Sequence, residues 1–203
     1  MKIDKNTDTE KNILNAAKQV FMREGKSGAR MQDIADLAQI NKALLHYYFR
    51  SKDKLFEAVV KDIIQNFAFN EIEKLLASDL PFYEKLALFI EKYIELLAKH
   101  PFLPIFILNE IAKDAENIQL FKPMQLLPTM FSELITGAIK NGVIKPVHPL
   151  HFMVNTISLC VFPFVARPLL KTIIFESNQE KFDAFIQERK KEVYKLIVSN
   201  ISL

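Results

Sequence analysis

Several residue types that mark other classes of protein are scarce in this 203-residue chain. A single Cys excludes an internal disulfide and a cysteine-rich metal cage, and it suits a reducing compartment. Only 4 Gly stand against 17 Phe, and no run of alternating polar and apolar residues predicts a β-strand. Because 50% of the residues are hydrophobic, a disordered chain is also excluded. The composition predicts an all-α globular protein with a sizeable core.

Targeting and membrane-spanning segments are also missing from the pattern. Residues 1–10 carry charges and lack the apolar run of a secretory signal. The longest apolar stretch spans residues 152–170. It is interrupted by Asn155, Pro163 and Arg167, so we interpret it as a buried helix and not as a membrane span. We therefore expect a cytoplasmic protein that has no membrane partner.

The net charge of +3 is small, but its distribution is uneven. Residues 1–52 hold 10 Lys/Arg against 6 Asp/Glu, a balance of +4, whereas residues 53–203 hold 17 against 18, a balance of −1. A basic excess in the first segment favours contact with nucleic-acid phosphates there. A chance fluctuation of a few charges is the alternative interpretation.

Residues 31–49 carry the most informative pattern in the chain. Met31, Ile34, Ala35 and Ala38 repeat at helical spacing, which predicts a helix of two turns. A second helix follows, for which Asn41 is a good N-cap. In that helix we expect Leu45 and Tyr48 to Phe49 to point inward and residues 42–44, 46 and 47 to face outward. This arrangement predicts a helix-turn-helix, the motif that presents a helix to the DNA major groove.

Other start and stop signals predict the remaining helices. Thr7 to Glu10 has the pattern of a capping box, and Gly25 stands where the first helix is expected to end. Ser51 is expected to cap a fourth helix, and Ser177 or Asn178 the last one. We expect a longer helix over about residues 117–141, closed by Gly142, and another from Pro149 to about residue 175. In total about nine helices are predicted, in a DNA-binding domain of residues 1–52 and a larger helical domain of residues 53–203.

The N-terminal segment resembles a known family. Ile13–Ala17, Asp33–Ala35, Asn41–Lys42, Tyr47–Phe49 and Ser51–Lys52 follow in the order and spacing of the N-terminal DNA-binding domain of TetR family transcriptional regulators. The resemblance covers about residues 9–56. Beyond residue 60 only the length and the helix count fit the family.

The chain departs from the family pattern at a few positions. The family usually has Gly where Gln39 stands, because the turn commonly needs a left-handed residue, and a side chain there costs about 1 kcal/mol. Arg30 and its neighbour Ala29 stand where Ser or Thr often caps the second helix, so an ionic phosphate contact would replace a hydroxyl one. Ala43 and Leu44 make the recognition surface more apolar, which favours contact with thymine methyl groups.

Both residue chemistry and the resemblance suggest which side chains contact DNA. Lys42 is our first choice for reading guanine, and Gln32 is suited to adenine. Tyr48 has an alternative interpretation, in which it packs in the core of the domain. For Lys42 and Lys52 the alternative is that they are solvated surface charges. The full set of expected DNA contacts is Arg30, Gln32, Lys42, Ala43, Leu44, His46, Tyr47, Tyr48 and Lys52.

The resemblance further implies a homodimer that binds a palindromic operator, with half-sites about 34 Å apart or slightly more. Family members pair through their last two long helices, which map to residues 149–175 and 178–199. The apolar stripe of the last helix fits that role, although it would equally suit the core of the subunit. Its members are Phe182, Phe185, Ile186, Val193 and Leu196.

A regulator of this kind also needs an input, and the resemblance implies an apolar effector pocket in the C-terminal helices. We expect Asn109 and Glu110 to orient the ligand and aromatic or sulfur side chains to line the walls, although such residues more often form core. The wall residues are Tyr93, Phe106, Phe131 and Cys160. A small, largely hydrophobic effector that releases a repressor from its operator is the resulting expectation.

The rival interpretation is a helical lipid-binding or small-molecule-binding protein, or an enzyme, with a vestigial DNA-binding head. No zinc-protease pattern, phosphate-binding glycine loop or nucleophile motif is present, so we expect no catalysis and no cofactor. His148 and His151 have a spacing compatible with one metal ion. Flanking prolines and the lack of a nearby acidic partner argue against such a site. Cys160, in an apolar helix, is expected to have an unactivated thiol.

Overall fold

The computed structural model describes residues 5–113 and 125–203, and within these ranges every regular element is helical. The all-α prediction is therefore confirmed. The chain divides into two compact units, one ending at Ile64 and one beginning at Gln65. This division lies further along the chain than the expected boundary between residues 52 and 53, because the helix that follows Ser51 contributes its apolar face to the first unit.

The N-terminal unit consists of four helices: α1 Lys5–Gly28, α2 Met31–Leu37, α3 Lys42–Tyr48 and α4 Lys52–Gln65. Its core forms where α1 meets α4, and the edge of the Phe21 ring contacts the Phe56 ring at a centroid distance of 4.8 Å. Burial of each such side chain contributes roughly 1.5–3 kcal/mol. Leu55, Val59 and Val60 of α4 are also fully buried, which explains why α4 belongs to this unit.

Some of the helix ends predicted for this unit agree with the structure, and one does not. Helix α1 is already formed at Lys5, so the capping box predicted at Thr7 is wrong. Gly25 does interrupt the helical conformation, with φ 67°, and a further turn follows it. The Ser51 hydroxyl accepts a hydrogen bond from the Lys54 amide at 3.2 Å, which confirms the predicted cap of α4.

The C-terminal unit begins with a π-helical segment, Asn66–Glu73, and α5 Lys74–Ala77. Helix α6 then packs against both α9 and α11, so it lies at the centre of the unit. Within the described ranges, no single helix is both long and apolar enough to cross a bilayer. Helix α9 and the following segment Arg167–Ile174 reach that length and composition only as a pair, and the pair is bent by 55°. The remaining elements are α6 Phe82–Lys99, α7 Leu103–Lys113, α8 Leu127–Lys140, α9 Pro149–Val165, α10 Arg167–Leu169, a second π-helical segment Leu170–Ile174, and α11 Gln179–Ile201.

Several ends of these helices lie where the sequence predicted them. Gly142 follows α8 with φ 64°, Pro149 begins α9, and the Asn178 side chain caps α11 by accepting from the Lys181 amide at 2.9 Å. The longer helix expected over residues 117–141 is described only from Leu127 onward, because residues 114–124 lie outside the described ranges.

A proline inside α9 is accommodated by an arginine from α11. Pro163 has no amide hydrogen, so it cannot bond to the Leu159 carbonyl one turn earlier. The Arg189 guanidinium donates to that carbonyl from Nη2 at 3.2 Å and from Nε at 3.4 Å. An acceptor freed by the proline is thus satisfied by a charged donor, and this contact ties α9 to α11.

This contact predicts a specific double-mutant result. Arg189→Met retains an unbranched side chain but leaves the Leu159 carbonyl without its donors, so we expect a loss of about 1–3 kcal/mol of unfolding free energy. In a Pro163→Ala background the amide that the substitution introduces takes the carbonyl, and the same Arg189→Met change should cost much less. Urea unfolding measures both values, with Lys191→Met, an exposed position of α11, as the control. Equal penalties in the two backgrounds would contradict the assignment.

Candidate nucleic-acid interface

The turn between α2 and α3 places α3 at the surface of the N-terminal unit. Gln39 has φ 55°, the left-handed conformation in which the related family usually has Gly. The Ile40 amide donates to the Ala35 carbonyl at 3.0 Å, which closes the turn. Asn41 then begins α3, and its Oδ1 accepts from the Leu44 amide at 2.7 Å. The predicted cap and the predicted left-handed residue are both confirmed.

Only one side of α3 is anchored in the unit. Leu45 is fully buried, and Phe49, which directly follows the helix, is nearly so. The opposite side is exposed and carries the five expected contact residues Lys42, Ala43, Leu44, His46 and Tyr47. Tyr47 has 77% of its surface exposed, which is unusual for a large aromatic side chain. The structure therefore brings these five residues together on one outward face, which we call the α3 face.

Two polar side chains from neighbouring helices hold the ends of α2. The Asn12 amide of α1 donates to the Ala38 carbonyl at 2.7 Å, just after α2 ends. The Lys52 ammonium donates to the carbonyls of Ser27 and Ala29 at 3.2 and 3.1 Å, just before α2 begins. Lys52 is thus a partly buried structural donor and not a fully solvated charge. Two of its three N–H groups are committed inside the unit.

The other expected contact residues lie around this face. Arg30 is exposed directly before α2, and Gln32 is exposed in its first turn, where its Nε2 donates to Asp36 Oδ1 at 2.8 Å. Tyr48 is half-buried and meets Tyr47 edge to face at a centroid distance of 5.6 Å. This partial burial is compatible both with packing in the domain and with a DNA contact, the two interpretations that the sequence left open.

The sequence interpretation missed two residues near these positions. Asn12 gave no signal, because a single Asn within an amphipathic helix has no distinctive spacing. Arg50 is exposed in the connection between α3 and α4 and adds a cation beside the α3 face. Its position directly after Phe49 was the available signal.

The structure places some of the expected effector-pocket residues in the core and others at the surface. Phe131, Cys160 and Tyr93 belong to the core of the C-terminal unit or pack against it, and Phe106 is also buried. Burial raises the pKa of the Cys160 thiol to about 12 and also raises the pKa of Tyr93, so neither group is activated. Asn109 is exposed on α7 and lies outside the buried core that contains Phe131 and Cys160. The surroundings of the Glu110 side chain lie outside the described part of the chain.

The expected pairing stripe also requires correction. Phe182, Ile186 and Val193 are buried in the core of their own subunit, so they are not available to a partner. Phe185 is half-buried against the same core, and Leu196 is 47% exposed. A helix that packs on its own subunit uses its apolar side there, which is the alternative that the sequence left open.

Exposed apolar side chains occur instead on α9 and on the segment that follows it. Leu150, Val154 and Phe162 recur at multiples of four residues, so they share one side of α9, and each is at least half exposed. We call these three residues the α9 stripe. Beyond α9, exposed apolar residues continue at Leu169, Ile173 and Ile174.

Comparison with known proteins gives concordant results. The model of the family "Bacterial regulatory proteins, tetR family" matches residues 13–59. The repressor NicS of Pseudomonas putida is 44% identical over 72 residues, which are 36% of this chain and only 33% of NicS. The transcriptional regulator RutR of Escherichia coli is 31% identical over 158 residues, covering 71% of this chain and 68% of RutR.

Solved structures share the fold at low sequence identity. A protein of Saccharomonospora viridis, described as a transcriptional regulator and crystallised with choline, aligns with a TM-score of 0.77 at 16% identity, covering 97% of this chain and 99% of that one. FadR of Bacillus subtilis, crystallised with stearoyl-CoA, aligns with a TM-score of 0.66 at 18% identity, covering 93% and 97%.

The Asn41 cap leads to a test of how α3 is held. Asn41→Ala removes the acceptor of the Leu44 amide, which should cost about 1 kcal/mol and speed exchange of that amide about fivefold. Asn41→Asp retains an acceptor and serves as the matched control. Amide hydrogen exchange followed by NMR measures the effect. If the alanine and aspartate variants protect the amide equally, the cap does not hold the start of α3.

Proposed function

Because the chain belongs to the TetR family of transcriptional regulators, a family that binds DNA, we propose that it is a repressor that binds a palindromic operator as a homodimer and is released by a small, largely hydrophobic effector. The N-terminal unit would read DNA, and the C-terminal unit would pair the subunits and bind the effector. The observation that carries this proposal is the α3 face, whose side chains are exposed while Leu45 and Phe49 anchor the opposite side of the helix. We expect no catalytic activity.

The chemistry of the α3 face suits a major groove. Lys42 lies at the first position of α3, where its ammonium would donate to guanine O6 and N7. Ala43 and Leu44 would contact base edges and thymine methyl groups, and His46 would donate to a base or a phosphate. Gln32 would first exchange its bond with Asp36 for an adenine.

Phosphate contacts would come from the rim of this face. Arg30, Tyr47 and Tyr48 are suited to bind phosphates, which set the register without reading sequence. Lys52 has one N–H group beyond the two that it donates to backbone carbonyls, so one phosphate bond is compatible with its structural role. The basic excess of residues 1–52 supports the same orientation.

We assign the pairing surface to the α9 stripe together with Leu196 of α11. The family pairs through these two helices, and these are the apolar side chains that α9 and α11 leave exposed. Several large apolar side chains exposed on adjacent helices suit a protein–protein interaction site. A single seven-residue reading helix contacts only a few base pairs, so specific binding requires the second subunit.

The effector would bind in the C-terminal unit. The core of the C-terminal unit contains Phe89, Phe131 and Tyr93 in ring contact, with Cys160 buried in the same core. Two structures with this fold hold stearoyl-CoA and choline, ligands with apolar or cationic character. An effector that binds better to subunits with mis-spaced reading helices lowers DNA affinity by its difference in affinity for the two states.

Selection of bound duplexes from a random pool tests the proposed function. The proposal predicts enrichment of a palindrome whose half-sites lie about 34 Å or slightly more apart, with affinity that falls steeply as salt rises. A lipid-binding protein with a vestigial head would enrich no sequence, and this result would overturn the proposal.

Base reading by Lys42 yields a sharper prediction. Lys42→Ala should reduce the discrimination between the selected duplex and one with the contacted guanine replaced, by about 1–3 kcal/mol. Lys52→Ala should weaken both duplexes similarly, because a phosphate contact carries no sequence information. Fluorescence anisotropy measures both, with Lys145→Ala, an exposed lysine of the other unit, as the control. Equal loss on both duplexes for Lys42→Ala would contradict its role.

A charged substitution in the α9 stripe tests whether the subunits pair through it. Val154→Lys places an ammonium in the proposed interface, so we expect sedimentation to show monomers at micromolar concentration and operator affinity to fall at least tenfold. The matched control is Leu80→Lys, an exposed apolar position in the connection before α6. Unchanged dimers with Val154→Lys, or a monomeric parent chain, would refute this interface.

A further inference from the structure

A cleft lies between the start of α9 and the last turn of α11, within the C-terminal unit. Its volume is about 400 Å³. Phe152 and Ile197 form part of an apolar floor, and the polar side chains lining it are His148, His151, Asn155 and Asn200. Neither DNA binding nor the effector proposal uses these four residues.

The His148 and His151 rings meet edge to face, with an interplanar angle of 65°, and lie close enough together to share one ion. The His148 and His151 ring centroids are 5.0 Å apart. Two imidazole nitrogens bound at about 2.0–2.1 Å to one ion would place their ring centroids about 4.5–5.2 Å apart, for ligand angles from octahedral to tetrahedral. The observed separation falls in this range without any movement of the backbone.

The neighbouring amides complete the donor set. His151 and Asn155 are four residues apart on α9, and Asn200 lies on α11 across the cleft. The Asn200 Nδ2 donates to the Leu196 carbonyl at 2.8 Å, so Oδ1 is the remaining polar atom of that amide. The cleft thus offers two imidazole nitrogens and two amide oxygens, and water can complete the coordination of an ion.

Among the residues that the structure describes, no group of three or more His, Cys, Asp or Glu side chains could hold a metal ion, so a site in this cleft would depend on the two imidazoles. Pro149 occupies the first helical position of α9, where proline is well tolerated, and His148 directly before it is the N-cap with extended backbone. The two histidines are therefore held together at the start of α9 and not by helical spacing. The missing carboxylate changes which ion is suited and does not prevent binding. Imidazole suits Zn²⁺, Cu²⁺ and Ni²⁺, whereas Mg²⁺ and Ca²⁺ prefer carboxylate oxygens.

We propose that His148 and His151, with Asn155 and Asn200, form a binding site for a late divalent transition-metal ion. The ion would bridge the first turn of α9 and the last turn of α11. The Lys145 amide already donates to the Ile201 carbonyl at 2.8 Å beside this cleft, so the ion would reinforce an existing connection. Because it binds the folded unit, it would raise the melting temperature.

Calorimetric titration of the untagged full chain with Ni²⁺ tests the site. We expect saturable binding of one ion per chain, weakened at least about tenfold by His148→Gln and by His151→Gln. His46→Gln is the matched control, because it removes an exposed histidine from α3 and leaves the cleft intact. A rise in melting temperature with Ni²⁺ should appear in the parent chain and in His46→Gln, and be lost in His151→Gln.

Melting curves recorded without metal show whether each variant is folded. Asn155→Ala, which removes one oxygen donor from the cleft, provides a second test of Ni²⁺ binding. Binding that is lost equally with His46→Gln, or that does not saturate below millimolar Ni²⁺, would overturn the proposal. Because duplex binding is not the readout, failure here would leave the proposed regulator function unaffected.

Discussion

The anchoring of α3 on one side only is the constraint on which the account depends. A helix of seven residues is not stable alone in water, so it must be held by its neighbours. The left-handed turn at Gln39, the Asn41 cap and burial of Leu45 and Phe49 supply that support from one side and from the ends. The Asn12 and Lys52 bonds fix α2 on either end of the same motif. The remaining side of α3 is therefore rigid and exposed, as a surface that reads base edges must be.

Most signals that depend on a few adjacent residues predicted helix ends correctly, with the Thr7 capping box as the exception, whereas the packing partner of an apolar side was not predictable. The Asn41 and Asn178 caps and the Gly142 stop follow from backbone chemistry that neighbouring residues determine, whereas the left-handed Gln39 was expected from the family resemblance. The last helix shows the limit: its periodicity indicates that Phe182, Ile186 and Val193 share a side, but not whether that side faces the subunit or a partner. The exposure of Asn109 was not predictable for the same reason, because α7 is apolar on most sides and its orientation depends on tertiary packing.

Helix α9 combines several roles that separate helices often perform. Its inner side contributes Phe152 and Cys160 to the core, and its outer side carries the exposed α9 stripe. Pro163 frees a carbonyl that Arg189 of α11 satisfies, and the first turn presents the histidine pair. The Arg189 contact connects α9 to α11 toward the C-terminal end of α9. In the proposed function the same two helices would link effector binding to the spacing of the reading helices.

Site-specific photo-crosslinking to duplex DNA tests the central claim most directly. A photoreactive amino acid at position 43, where Ala43 is exposed on the α3 face, should crosslink the full chain to duplex DNA in dilute buffer. The same amino acid at position 77, where Ala77 is exposed at the end of α5, should not crosslink. The account predicts strong crosslinking at position 43 only, which decreases as salt is raised. Equal crosslinking at both positions, or none at position 43 while the chain binds DNA, would contradict it.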